Sequence, residues 1–298
     1  ADGRRRRTRH SQPRIAAHRV TNVGVVLSAR SPFEWDLVDD LYEAADGAGY
    51  RLVLGLYGPR RSRHRVTAEL AESCSAVIVV GPDRADRLDA VSGPLVIIGE
   101  RIPDLDAVTV GTDEWLGGEL ATQHLIDLGH TTIAHLDGGE NSGAAERLRG
   151  YHDAMAAAGL REHVRVFDGD YSERSGARVA DEIIDGADAP TAVFAANDRS
   201  AIGLVTELRR RGVRVPEDIS VVGYDDSEPA ALAHIALTSV RQDTAGLASA
   251  AMSAVRSLVG DSDEAADTGG CGYYGAVALD PVLTVRSSTA ARTPVRSV

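Results

Sequence analysis

Residues 191–227, TAVFAANDRSAIGLVTELRRRGVRVPEDISVVGYDDS, read as one strand–helix–strand unit, and that unit limits what the chain can fold into. Residues 191–195 are a short apolar run with β-branched members, long enough for a buried strand. Asn197 and Asp198 follow, residue types that cap helices by accepting a bond from exposed backbone N–H groups. Ala201, Val205 and Leu208 then recur at helical spacing, and Arg209, Arg210 and Arg211 set cations against the negative end of the helix dipole. Gly212 stops the helix and Pro216 prevents its resumption; residues 219–223 form a second apolar run that leads into Tyr224, Asp225 and Asp226. Two strands joined by a helix are normally parallel, so their carboxyl ends share one edge of a sheet, where open α/β sheets bind ligands. Asn197, Asp198 and Asp225 are therefore expected to converge on one rim. On pattern alone, the plainer reading is that the first two only cap a helix and Asp225 only starts a turn.

The rest of the chain repeats the alternation. Apolar runs predict strands at 23–27, 51–56, 76–80, 95–98, 108–110, 132–136, 164–167, 237–240 and 282–285. Between them, helical spacing marks 67–73, 119–128, 144–158, 174–184 and 244–258. A helix after the loop 28–32 carries Trp35, Val38, Leu41, Tyr42 and Ala45 on one side and ends at Gly47 or Gly49. Residues 261–275, acidic and glycine-rich, are expected to be an exposed loop. Strands alternating with helices predict an α/β protein with doubly wound parallel sheets, and two successive sets of units suggest two similar lobes.

Composition removes several classes of function. With 298 residues, 43% apolar and 26% charged, the chain has a globular composition and ample length for real cores. No apolar run approaches the ~18 residues that span a bilayer, and no signal-like stretch opens the sequence, so a cytoplasmic protein without a membrane partner is expected. Cys74 and Cys271 are the only cysteines; far apart in sequence, they suggest a reducing compartment and cannot make a structural zinc site by themselves. Every basic residue is arginine, which excludes lysine Schiff bases, a pyridoxal-phosphate anchor and a phosphate-loop lysine. Net charge is −12 overall, and seven arginines with one acid put +6 in residues 1–19, leaving −18 on the rest. A body that acidic repels phosphate backbones, so contact with nucleic acid would fall to the basic tail.

The sequence holds no G-x-S-x-G elbow, no H-E-x-x-H and no phosphate loop, and its histidines show no metal-ligand spacing. Neither an enzyme nor a resident metal or cofactor is expected. His124, His130 and His135 read as hydrogen-bonded structural residues. Asp225 and Asp226 have the chemistry of an acid/base pair, but neighbours at a strand end tend to point apart. Arg147 offers a planar fork suited to hydroxyl pairs or carboxylates. Phe33, Trp35 and Tyr171 stand in strand-end loops, where aromatics either stack on a ligand or join the core.

Eight motifs stand in order along the chain: VGVVLSARSPF, HLIDLGHTTIAHLDG (124–138), ERLRGYHDAMAAAGL (146–160), GDYSERSG (169–176), FAAND (194–198), VPEDISVVGYDD (215–226), LTSVRQD (237–243) and LDPVLTVRSST (279–289). Together they resemble the effector-binding core of the LacI/GalR family of bacterial transcription regulators over residues 20–289. The resemblance implies a two-lobed, type I periplasmic-binding-protein-like fold. Its three crossover strands form a hinge, near 113–117, 242–243 and 280–281. It implies an N-terminal lobe of 20–116 plus 243–280 and a C-terminal lobe of 117–242 plus 281–290, with a basic linker-like tail at 1–19 and a frayed end at 291–298. Arg147, Tyr171, Asn197, Asp225 and Gln242 match cleft positions that grip a small-molecule effector, commonly a sugar or related metabolite. Ser31, Pro32 and Phe33 match the lobe-one side. Effector binding would close the hinge and alter affinity for operator DNA, read through a helix-turn-helix that has no counterpart in this sequence. The family's regulators pair as homodimers, and the Trp35, Val38 and Tyr42 side of the first helix is the candidate interface. The first loop departs from the family, reading SPFEW in place of an asparagine and paired aromatics. A free-standing sugar-binding protein of a transport system is the alternative reading; the LGH, VPEDIS and LTSVRQD motifs resemble the regulators more closely.

Overall fold

The computed structural model describes residues 21–28, 30–83, 86, 88, 92–186, 188–260 and 276–292. The expected basic tail, the loop at 261–275 and the residues after 292 lie outside them. The chain first lays down β1 (Thr21–Ser28), α1 (Pro32–Ala48), β2 (Tyr50–Tyr57), α2 (Arg63–Ala71), β3 (Ala76–Val80), β4 (Leu95–Ile98) and β5 (Val108–Thr112). It continues through α3 (Glu114–Asp127), β6 (Ile133–Leu136), α4 (Ala144–Ala157), β7 (Arg165–Phe167), α5 (Glu173–Asp185), β8 (Ala192–Ala195) and α6 (Asp198–Arg210). It then runs through β9 (Ser220–Asp225), α7 (Glu228–Ala231), β10 (Thr238–Arg241), α8 (Thr244–Val259), β11 (Ala276–Leu279) and β12 (Val282–Thr284).

Two six-stranded sheets result, ordered β11-β5-β4-β3-β1-β2 and β12-β10-β9-β8-β6-β7. Their pairings are parallel except for β10 with β12. This is the doubly wound, two-lobed α/β architecture expected from the sequence. The chain passes between the sheets after Thr112, after Arg241 and after Leu279. β3, β4 and β8 are apolar on both faces, and β6 is so apart from the buried His135, because helices cover both. In the first lobe α1 and α8 pack on one side, and α2 covers the other through Val66 and Leu70. In the second, α5 and α6 cover one side while Tyr151 and Met155 of α4 and Leu125 of α3 fill the other.

The order β2-β1-β3-β4-β5 reverses direction beside β1, and β7-β6-β8-β9-β10 repeats that pattern beside β6. Each sheet therefore has a switch point where the chain leaves neighbouring strands in opposite directions and opens a crevice at their carboxyl ends. Helix starts at those crevices are firmly capped. Ser31 caps α1 with Pro32 at its first turn, and Gly49 in the left-handed region ends it. Asn197 caps α6 by accepting the Ser200 N–H at 2.9 Å.

α1 differs from expectation. Leu37, Val38, Leu41 and Ala45 are buried, whereas Trp35 and Tyr42 stand 40% and 42% exposed. The first sheet's core takes a narrower stripe of the helix than the sequence spacing suggested, leaving the two aromatics on its flank. α2 and α3 begin four and five residues earlier than their apolar spacing indicated; α2 opens on the charged Arg63, His64 and Arg65, and α3 carries Gly117 and Gly118, poor helix formers, in its first turns. β11, α7 and a 3-10 turn at Arg161–His163 were not read from sequence; each is four residues or shorter.

Helices α5 and α6 touch backbone to backbone. A Cβ on Gly176 would lie 2.0 Å from the Ser200 carbonyl oxygen, and one on Gly203 would lie 2.1 Å from that of Glu173. Gly176→Ala should therefore separate the pair and lower stability by about 1–3 kcal/mol. Urea unfolding with an unchanged midpoint would contradict this packing.

Candidate ligand-binding cleft

The carboxyl edges of the two sheets face each other across a cavity of about 130 Å³. Ser31, Phe33, Arg147, Tyr171, Asn197, Asp225 and Gln242, the residues singled out from sequence, all line it. The lobes also meet at both lips. The Glu100 N–H donates to Ser142 Oγ at 3.3 Å, and the Glu228 N–H, at the start of α7, donates to Asp36 Oδ2 of α1 at 3.3 Å.

Arg147 organises the second lobe's wall. It is 4% exposed; Nε donates to Glu114 Oε2 at 2.7 Å and Nη1 to the Ala196 carbonyl at 2.6 Å. Its guanidinium lies 3.6 Å over the ring centroid of Tyr224, with Tyr171 at 5.5 Å. Nη1 is also 4.0 Å from Asp225 Oδ1. Asp225 ends β9 with φ 111, an unusual conformation for a side chain other than glycine, which turns its carboxyl toward the cavity. That oxygen accepts from Gln242 Nε2 at 2.8 Å, and Gln242 Oε1 accepts from Thr112 Oγ1 at 2.8 Å. A chain of hydrogen bonds thus runs from the last residue of β5 in lobe one, through a crossing residue, to lobe two. Burial pushes the Asp225 carboxyl well above the usual range; Arg147 opposes that shift and Asp198 reinforces it.

Asn197 and Tyr171 are tied to each other. Asn197 Nδ2 donates to the Tyr171 carbonyl at 3.3 Å, and Tyr171 Oη donates to the Ser142 carbonyl at 3.1 Å. Ser31 and Phe33 enter from the opposite side at the first turn of α1.

Asp198 corrects one expectation, because it does not line the cavity with Asn197 and Asp225. One turn position along α6 from its cap, it points inward, accepting the Ser227 N–H and hydroxyl at 2.8 Å each and the Ser239 hydroxyl at 2.6 Å. It holds the segment after β9 in place. Asp226 also points away from Asp225, pairing with Arg286 Nη1 at 2.6 Å and accepting from Thr284 at 2.8 Å. Trp35 is outside the cavity as well. The three histidines are structural: His124 bonds Thr289 at 3.0 Å, His130 bonds Thr191 at 2.9 Å, and His135 Nδ1 donates to the Phe194 carbonyl at 3.0 Å. Burial pushes His135 down to about 3, so it stays neutral.

Sequence reasoning missed the lobe-one polar wall of Glu34, Tyr57, Arg63 and Asp83, along with Glu114, Asn141 and Ser142. Arg63 is 7% exposed. Its Nη1 contacts Asp86 and, at 3.4 Å, Asp83; its Nη2 donates to Tyr57 Oη and, at 2.9 Å, to the Gly81 carbonyl. It stands at the first residue of α2, ahead of any apolar period. Glu34 was in view only as part of the departing SPFEW loop. It is 8% exposed and accepts the Ser28 N–H. Burial pushes it up to about 7; the Ser28 bond and Arg63 pull it down, and Asp83 pushes it up.

A carboxyl raised in the folded state contributes stability that is full below its unfolded value, about 4.3, and is lost as pH rises through 7. Glu34→Gln removes that titration and keeps an acceptor for Ser28. The variant should therefore gain stability over the native chain between pH 5 and 8, by at most about 3 kcal/mol at pH 8. Melting curves across that range check this; a gain independent of pH would contradict the burial account.

Residues 122–273 match the family described as periplasmic binding protein-like domain. The HTH-type transcriptional repressor PurR of Photobacterium profundum is 33% identical over 251 residues, spanning 80% of this chain and 74% of the relative. A LacI transcriptional regulator from a Rhodococcus species has the same fold, with a TM-score of 0.83 and 34% identity over 91% of this chain and 98% of that one. The regulator CelR in complex with cellobiose aligns with a TM-score of 0.76 and 31% identity, over 90% and 84% of the two chains. The lac repressor dimer bound to operator and the anti-inducer ONPF aligns with a TM-score of 0.76 and 26% identity, over 93% and 96%.

Proposed function

The chain belongs to the LacI/GalR family of transcriptional regulators as its effector-binding core, and on that premise we propose that its cleft senses a sugar or related metabolite. The observation that carries the reading is the chain Thr112–Gln242–Asp225, with Arg147 beside it: cavity-lining groups of both lobes already form one polar network. A ligand hydroxyl placed among them bridges the lobes and favours their closed arrangement, because only that arrangement offers partners on both sides. The CelR neighbour holding cellobiose supports the sugar class.

A binding role fits the site better than catalysis. Of the acids beside Asp225, Asp226 is committed to Arg286 and Asp198 to Ser227 and Ser239. Among the described residues, no group of three or more His, Cys, Asp or Glu is placed to hold a metal ion. No helix among them is long and apolar enough to cross a membrane. The proposed setting is the cytoplasm, with operator DNA reached through a helix-turn-helix outside this sequence.

Asp225→Asn keeps the shape and the bond from Gln242 while removing the charge, and Arg147→Lys keeps the charge while removing the planar guanidinium that bonds Glu114 and Ala196. Each should weaken binding of whichever neutral sugar the native chain takes by about ten- to a hundredfold, the worth of one charge-assisted hydrogen bond. Calorimetry over a panel of neutral mono- and disaccharides is the measurement; unchanged affinity in both variants sinks the site.

The exposed Trp35 and Tyr42, two turns apart on α1, support pairing of one lobe one with another. The lac repressor neighbour is a dimer. Light scattering at micromolar concentration should give twice the mass of one chain, and a monomer mass would contradict the dimer.

A further inference from the structure

We propose that Glu34 contacts the ligand and makes the cleft select an uncharged polyhydroxyl compound over its phosphate ester. The proposal rests on the sugar-sensing reading and names the class of ligand within it.

Acids outnumber cations around the cavity: Glu34, Asp83, Glu114 and Asp225 stand against Arg63 and Arg147. Most donors of the two arginines are also occupied. Both terminal nitrogens of Arg63 already serve Asp86, Asp83, Tyr57 and Gly81. Arg147 gives Nε to Glu114 and Nη1 to Ala196, and one face of its guanidinium is stacked on Tyr224. Phosphate is recognised by an unoccupied bidentate fork or by free N–H groups at a helix start. Neither arginine offers such a fork. At the start of α1, where an anion would otherwise be welcome, the Glu34 carboxylate already sits on the Ser28 N–H, and Ser31 caps the Glu34 N–H.

Hydroxyls face the opposite situation. A sugar hydroxyl is a donor as well as an acceptor, and carboxylates accept. Glu34 supplies acceptors from lobe one and Asp225 from lobe two, so one polyol can be gripped from both sides.

A structural role for Glu34 would be the capping box, in which the acid at the third helical position returns to the N–H of the cap residue. Here the cap is Ser31, but the carboxylate reaches past it to Ser28 at the end of β1. The nine-tenths buried Glu34 carboxyl accepts from one backbone N–H and the Ser31 hydroxyl, and further donors would stabilise its charged form. Ligand hydroxyls in the adjoining cavity would do so.

The test is calorimetry on the full chain at pH 7.5 with cellobiose, glucose, ribose, glucose 6-phosphate and ribose 5-phosphate. A neutral sugar of this set should bind, and the phosphate esters should bind at least tenfold more weakly than their parents. Glu34→Gln should weaken the neutral sugar about tenfold and narrow the preference over phosphate while the melting temperature holds or rises. A residue that merely supports the loop would instead lose stability and leave the preference intact. Glu34→Asp retains the charge on a shorter stem; it should weaken the sugar yet still reject the phosphate, and it serves if the glutamine variant does not fold. A phosphate ester that binds as tightly as its parent overturns the selectivity and leaves sugar sensing standing. Unchanged sugar affinity in both variants overturns the contact. Failure of every compound to bind overturns the sugar reading and this inference together.

Discussion

The buried guanidinium of Arg147 is the interaction on which the rest of the cleft depends. A cation this enclosed is tolerable only with close partners, and removing one of them would leave an uncompensated buried charge. Glu114, the Ala196 carbonyl and the face of Tyr224 supply those partners, with Asp225 4.0 Å away. The arrangement is possible because α3 and α4 approach without side chains between them. A Cβ on Gly118 would lie 2.3 Å from the Arg147 carbonyl oxygen, and one on Gly117 would strike Tyr224. Two adjacent glycines on α3 thus set the distance that lets a residue of α4 reach a residue of α3 and lets β9 pack its tyrosine beneath both.

From that hub the polar network leaves lobe two. Asp225, held beside Arg147, accepts from Gln242, which accepts from Thr112 in lobe one. Elsewhere the lips of the cleft are held by single hydrogen bonds, Glu100 to Ser142 and Glu228 to Asp36. A bond of that kind contributes about 0.5–1.5 kcal/mol. On the sensing reading, closure is therefore weakly held by the protein alone, and the equilibrium lies within reach of a ligand that binds the closed arrangement even a hundredfold more tightly than the open one. Thr112, Gln242 and Asp225, which line the cavity, also join the lobes.

Much of this was legible because it is local. Apolar runs marked the strands, and the FAAND and GYDD segments placed Asn197 and Asp225 at strand ends, where the doubly wound topology gathers ligand contacts. Asp198 was misplaced since a cap residue and its successor diverge by about a hundred degrees around the helix, and sequence adjacency hides that. Arg63 escaped notice because α2 opens on a charged turn with no periodicity. Most of the partners that hold Arg63 in the cavity wall, Asp83, Asp86 and Gly81, are also distant in sequence. Glu114 was unreadable for the same reason: its meaning comes from Arg147, 33 residues later.

Three buried carboxyls here share a raised pKa through burial, and hydrogen bonding separates them in meaning. Asp198, raised to about 7, accepts from three donors of Ser227 and Ser239 and is sealed from the cavity. It is complete without a ligand and serves to fix the loop after β9. Asp225 and Glu34 stand in the cavity wall, the first with Gln242 and with Arg147 4.0 Å away, the second with the Ser28 N–H and the nearby Ser31 hydroxyl. Burial raises all three, yet only Glu34 and Asp225 line the cavity. A raised pKa by itself therefore marks nothing about function in this fold. On the sensing reading, what matters is that one raised carboxyl lines the cavity from each lobe, so that a group engaging both must span the cleft.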